Sequence, residues 1–157
     1  MIEPAGAAYR GATVALDVFT CEAGTDEVVR APVADEAVLV VLEGDCSFAD
    51  RRVRRRSVFA DRAAAVVLPP GASVAVHAHE RTEFALASSV GGALPRVDGR
   101  PIVVGPDEVV VHERGRAGWQ RQVHDVVGEQ VPARTLLVGE TFNEPGQWSS
   151  YPPHKHD

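Results

Sequence analysis

What most restricts this chain is how its apolar residues are distributed. They come in Val-rich runs of roughly four to eight residues, the length of strands, each closed by Gly, Pro or Asp. Thr13 to Thr20 alternates, with Val14, Leu16 and Val18 on one face, and Ser73 to Ala78 and Thr82 to Ala87 alternate as well. Ala37 to Leu42, closed by Glu43-Gly44-Asp45, and Ala63 to Leu68, closed by Pro69-Pro70-Gly71, are apolar without alternation. Strands of that second kind are covered on both faces. Ile102 to Val104, Val109 to His112, Gln120 to Val127 and Thr135 to Phe142 complete the set. No stretch repeats its apolar residues at helical spacing. The pattern predicts an all-β sandwich or barrel, of which the jelly roll is one form, with less than about 15% helix against the roughly one third of an average globular protein. Residues 1–12 read as an N-terminal arm and 13–142 as one domain, with a loop in the Gly91 to Gly105 region.

A chain of 157 residues is long enough for one domain that buries about 70% of its unfolded surface. Its net charge of −6 and pI near 5.5 argue against nucleic acid or an anionic membrane as partner. The longest uncharged apolar runs fall well short of a membrane span, and no signal-peptide pattern opens the sequence. Cys21 and Cys46 are too few for a disulfide framework and read as core thiols of a reducing cytoplasm.

The chemistry concentrates at the end of the sequence, in Trp148-Ser149-Ser150-Tyr151-Pro152-Pro153-His154-Lys155-His156-Asp157. The double proline holds the backbone extended. On a strand, residues i and i+2 share a face, so His154 and His156 can grip one metal ion. A metal site takes about three or four protein ligands, and this run supplies a pair. The decapeptide resembles the signature of the 5-deoxy-glucuronate isomerases of inositol catabolism, bicupins related to the 5-keto-4-deoxyuronate isomerases. The resemblance extends through Arg56-Ser57-Val58-Phe59, Leu68-Pro69-Pro70-Gly71, Arg114-Gly115, Arg121-Gln122-Val123 and Leu136-Leu137-Val138-Gly139-Glu140.

The resemblance implies a cupin-type jelly-roll β-sandwich, one cupin half of a bicupin, with residues 143–157 opening a second half. It implies that the remaining ligands, a Glu and a further His, lie past Asp157, so that the metal is not fully coordinated by this stretch and catalysis by it alone is in doubt. It also implies a cytoplasmic enzyme that assembles with its own kind and converts 5-deoxy-glucuronate to 2-deoxy-5-keto-gluconate, an aldose–ketose isomerisation of a small sugar acid. A divalent metal would hold the carbonyl and hydroxyl oxygens, and imidazole ligands suit zinc, manganese or iron. The sequence identifies no general base.

Other residues carry two readings each. Gly71, His77, His79 and Glu83 have the spacing of the general cupin metal motif, with His124 as a natural fourth ligand. Alternatively they are solvent-facing or packed side chains. Arg51 to Arg56 could meet an acidic substrate, or could be a charged hairpin edge that discourages strand-to-strand association. Arg56, which opens Arg-Ser-Val-Phe, is the one expected to pair within the chain. Arg114 and Arg121 can fork a substrate carboxylate or brace a domain junction. Trp148 can stack on a sugar ring or pack, and so can Trp119. Three functions therefore stay open: the isomerase, a non-catalytic sugar-acid binding module, and a self-contained metal cupin built on the first-half histidines.

Overall fold

The computed structural model describes residues 9–91 and 99–149. Among them every regular element is a strand: β1 (Tyr9–Arg10), β2 (Val14–Cys21), β3 (Asp26–Arg30), β4 (Ala37–Phe48), β5 (Arg51–Arg55), β6 (Ala65–Leu68), β7 (Ser73–Ala78), β8 (Thr82–Ser89), β9 (Ile102–Val104), β10 (Val110–Arg114), β11 (Arg121–Val127) and β12 (Val138–Asn143). All pairings are antiparallel. The all-β reading holds, and the structure is a sandwich of the cupin type.

The long strand β4 makes the sandwich. Its first half pairs with β8 and β6 in a sheet ordered β1-β2-β8-β4-β6-β9. Its second half pairs with β5 and β7, and β7 carries β3 on its far edge. Glu43-Gly44-Asp45 was expected to end the strand, yet the strand runs through it. A bulge falls between Val41 and Glu43, and Gly44 adopts φ +124°, which glycine alone takes easily. A Cβ at Gly44 would come within 2.6 Å of the Thr82 Cα. The bend lets one strand serve both sheets.

Between the sheets lies an apolar interior of Phe19, Leu39, Phe48, Val66, Val76, Phe84 and their neighbours. Phe19 and Phe84 stack at 5.5 Å, and Phe48 tilts onto Phe84 at 6.4 Å. On β2 the face turned inward carries Ala15, Asp17, Phe19 and Cys21, not Val14, Leu16 and Val18, because Phe19 lies opposite Phe84 in the register. Cys21 and Cys46 are free and buried. Burial pushes their thiols up to about 11 and about 12 respectively, so they are inert.

The continuous apolar runs are buried on both faces, as predicted. Val38, Val40, Ala65 and Val67 leave the interior on the far side of β4 and β6 and pack against Val126, Val127, Val131 and Leu136. That second cluster joins the sandwich to the three-stranded sheet β10-β11-β12. The expected arm is docked at its end, since Tyr9–Arg10 pairs with β2 and Arg10 forms an ion pair with Asp17 at 2.7 Å.

Candidate functional site

The three-stranded sheet has two unlike faces. The register sets Val111, Glu113, Gln122, His124, Glu140 and Phe142 on one face and His112, Arg114, Arg121, Asp125, Thr141 and Asn143 on the other. The first face is fastened to the sandwich. Arg55 is fully buried and donates both bonds of a fork to Glu140, at 2.7 and 2.8 Å, while also donating to the carbonyls of Val41 and Asp61. Glu36, buried at the start of β4, accepts the backbone N–H groups of Arg134, Thr135 and Leu136 and the Thr135 hydroxyl, at 2.9–3.3 Å. Two buried carboxylate contacts thus fix where β12 begins and how it lies.

Of the basic run, the buried member is Arg55 rather than Arg56. Strand alternation explains this: Val53 and Arg55 point inward while Arg52, Arg54 and Arg56 point out. Arg56 does pair, with Asp61 at 2.8 Å, but at the surface. Its guanidinium holds the Asp61 carboxyl down at about 2. Arg52 forks onto Asp45 and holds that carboxyl below its ordinary value. The hairpin-edge reading describes Arg52, Arg54 and Arg56 and fails for Arg55.

The second face is open. His112 Nε2 lies 2.9 Å from Asp125 Oδ2. Arg114 and Arg121 are direct cross-strand partners, and the Arg121 guanidinium sits 5.9 Å from the centre of the Trp119 ring with one buried nitrogen unsatisfied. A cleft of about 550 Å³ opens here, lined by His112, Arg114 and Asp125 among others. Trp148 is largely exposed. Its backbone N–H donates to the Gly118 carbonyl, and Asn143 donates to the Trp148 carbonyl at 3.1 Å. The run that carries the histidine pair is therefore anchored to this sheet up to Trp148. His154 and His156 themselves lie outside the described residues.

The other metal candidates are not brought together as a set: only His77 and His79 meet. Val74, Val76 and Ala78 point into the sandwich, so His77 faces outward. Its ring meets that of His79 at 4.7 Å. His77 Nδ1 contacts Asp26 at 2.8 Å and His79 Nε2 contacts Ser47 at 2.7 Å. Glu83 does return on β8, but it stands beside Thr20 and Glu43 on the outward face of the other sheet. His124 belongs to the three-stranded sheet, buried against Phe142 at 4.5 Å. Burial pushes its pKa down, helped by Arg62 and Arg55 and opposed by Glu140. Among the described residues no group of three or more His, Cys, Asp or Glu is arranged to hold a metal ion.

Sequence reasoning passed over three features. Arg55 was hidden among like residues, although the period-two pattern Val53, Arg55 marks it. Glu36 follows Asp35 at the head of an apolar run, and nothing local sets it apart. The His112–Asp125 pair is far apart in sequence and meets only through the register.

The KduI/IolB family model matches residues 2–157. A 5-deoxy-glucuronate isomerase of Geobacillus kaustophilus is 34% identical over 92% of this chain and 53% of its own length. One of Geobacillus thermodenitrificans is 32% identical over 99% and 56%. The chain thus spans about half the length of these curated relatives. Among solved structures, an IolB-like protein from Salmonella typhimurium is 29% identical with a TM-score of 0.72, over 89% of this chain and 54% of that one. A putative glyoxylate-induced protein from Pseudomonas aeruginosa, at 17% identity and TM-score 0.50 over 75% and 45%, bears on the fold alone.

Proposed function

The chain belongs to the KduI/IolB family, and from that premise we propose that it serves the isomerisation of 5-deoxy-glucuronate to 2-deoxy-5-keto-gluconate. The observation that carries this reading is the likeness to proteins named 5-deoxy-glucuronate isomerase over nearly the whole chain. In it, His154 and His156 hold a divalent metal, zinc, manganese or iron. Two imidazoles are a donor set that suits such an ion but falls short of the about three or four ligands it takes, so further donors complete the site. When bound, the metal supplies positive charge against the oxygens of the reacting carbonyl and hydroxyl. Arg114 and Arg121 bind the sugar acid's carboxylate, and Trp148 offers a face to the sugar. The buried free thiols of Cys21 and Cys46 are compatible with a cytoplasmic setting.

The test uses a chimera of this chain with the half of the Geobacillus kaustophilus relative that it does not match. Supplied with metal, the chimera should consume 5-deoxy-glucuronate, and His154→Ala or His156→Ala should abolish this. A folded, metal-loaded chimera that leaves the substrate untouched would refute the reading.

A further inference from the structure

The cleft on the open face of the three-stranded sheet, about 550 Å³, falls within the roughly 300–1,000 Å³ of small-molecule sites. Val110 and Leu137 give it apolar lining, while His112, Arg114, Asp125 and Glu129 bring charge and hydrogen-bonding groups. We infer that this cleft takes the sugar acid, with Arg114 receiving its carboxylate and His112, held by Asp125, transferring the proton. The proton-transfer role and the identity of the acid rest on the isomerase reading; that the cleft binds an anion does not.

The geometry specifies the acid–base pair. An ionised carboxylate only accepts hydrogen bonds. Asp125 at 2.9 Å from His112 Nε2 therefore places the imidazole proton on Nε2 and leaves the Nδ1 lone pair as the base. When Nδ1 gains a proton, Asp125 balances the resulting charge. The fold has little need of this contact. Both side chains are more than a third exposed, and exposed ion pairs contribute about 0–1 kcal/mol.

Arg114 points to the ligand's charge. It stands directly opposite Arg121, and like charges in that position repel. The adjacent Glu113 carboxylate is taken by Gln122, and among the described residues no carboxylate pairs with Arg114. The Arg121 guanidinium turns to the Trp119 ring, while Arg114 lines the cleft, where an anion offsets its charge. His112 and Arg114 are two residues apart on one strand face, about 6–7 Å, comparable to the length of a six-carbon sugar acid. A 5-deoxy-hexuronate reacts at the end remote from its carboxylate, so one molecule can reach both groups.

The proton step balances without a co-reactant. Nδ1 takes the proton from the hydroxyl-bearing carbon beside the aldehyde. The freed electron pair forms the double bond of the enediolate, and the aldehyde's π pair moves to its oxygen. The imidazolium then returns the proton to the former aldehyde carbon as the ketone forms. The hydroxyl proton passes from the second oxygen to the first.

Two measurements test this. The first is an NMR titration of the 157-residue chain with D-glucuronate, and with glucose as the uncharged control. Glucuronate should shift the His112 ring signals; glucose should not. Arg114→Ala should weaken glucuronate binding about tenfold or more. Charged groups facing His112 are Asp125, Arg114, Arg121 and Glu129, while β12 offers only Gly139, Thr141 and Asn143 on that face. The second measurement is the pH–rate profile of the chimera. His112→Gln should lower kcat about a hundredfold or more, abolish the acid limb of the profile and leave metal content unchanged. Asp125→Asn, which keeps an acceptor but loses the charge, should fall less. Glucuronate that leaves His112 unmoved would overturn the site. Full kcat and an intact acid limb in His112→Gln would overturn the proton-transfer role. An inactive parent chimera removes that role together with the isomerase reading, while the titration still decides the site.

Discussion

The interior of the sandwich and the three-stranded sheet are built from similar strands and put to opposite uses. The interior closes on itself: Phe19, Phe48 and Phe84 meet there with Val and Leu from both sheets. The nearby His77 is turned outward by the apolar residues on either side of it. The three-stranded sheet spends one face on attachment, through Arg55–Glu140 and the buried Glu36, and leaves the other polar and open. A histidine pair with metal-motif spacing is thus part of a scaffold's surface, while the sheet leading into the histidine-rich end of the chain holds Arg114, which has no carboxylate partner among the described residues, and the cleft.

The contrast can be broken most severely from inside the sandwich. Phe84→Ala removes the ring at its centre and should cost about 3–5 kcal/mol, measured by denaturant unfolding. A loss below about 1 kcal/mol would mean that the interior is not packed as described. Next is the attachment. Glu140→Ala leaves the Arg55 charge buried without its carboxylate, and breaking such a pair costs about 3–5 kcal/mol. Because the Glu140 side chain is 21% exposed, about 2–4 kcal/mol is expected. Amide exchange should quicken in β12 before it does in β4; uniform quickening would show that the sheet is not a separable attachment.

A smaller effect belongs to His124, buried between the attached face and the sandwich. Its folded pKa is lowered, chiefly by burial, against about 6.5 for an unfolded histidine. The unfolded chain therefore binds the proton first as pH falls. The stabilisation is complete above about pH 6.5 and is lost progressively below it, toward the folded pKa. His124→Gln should flatten stability across that window, and an unchanged slope would assign it to another group. The smallest effect belongs to the surface pair. His77→Ala with His79→Ala should change stability by less than about 0.5 kcal/mol; a larger loss would give the pair a structural task.

The same contrast explains what the sequence made legible. Strands whose neighbours dictate their burial were plain: the unbroken runs at Ala37 and Ala63 do pack on both faces. β3 was missed because only Val29 among its residues is buried, so it carries little periodic signal. The passage of β4 through Glu43-Gly44-Asp45 was missed because a glycine that ends a strand and one that bends it look alike. The inward face of β2 follows from Phe19 meeting Phe84, a long-range match that alternation alone does not supply. At the site, the His-x-His spacing, Arg114, Arg121 and Trp148 were readable as residue types in a recognisable run. His112 with Asp125, and Arg55 with Glu140, exist only through register and tertiary contact.

We propose that the chemistry resides with the three-stranded sheet and the His154–His156 run, and not with the histidines of the sandwich. The most direct measurement compares turnover and bound metal in two double variants of the chimera. His154→Ala with His156→Ala should abolish 5-deoxy-glucuronate turnover and strip the metal, while His77→Ala with His79→Ala should leave both within about twofold, as for ordinary surface sites. Metal and turnover lost with His77 and His79, and retained without His154 and His156, would contradict the account.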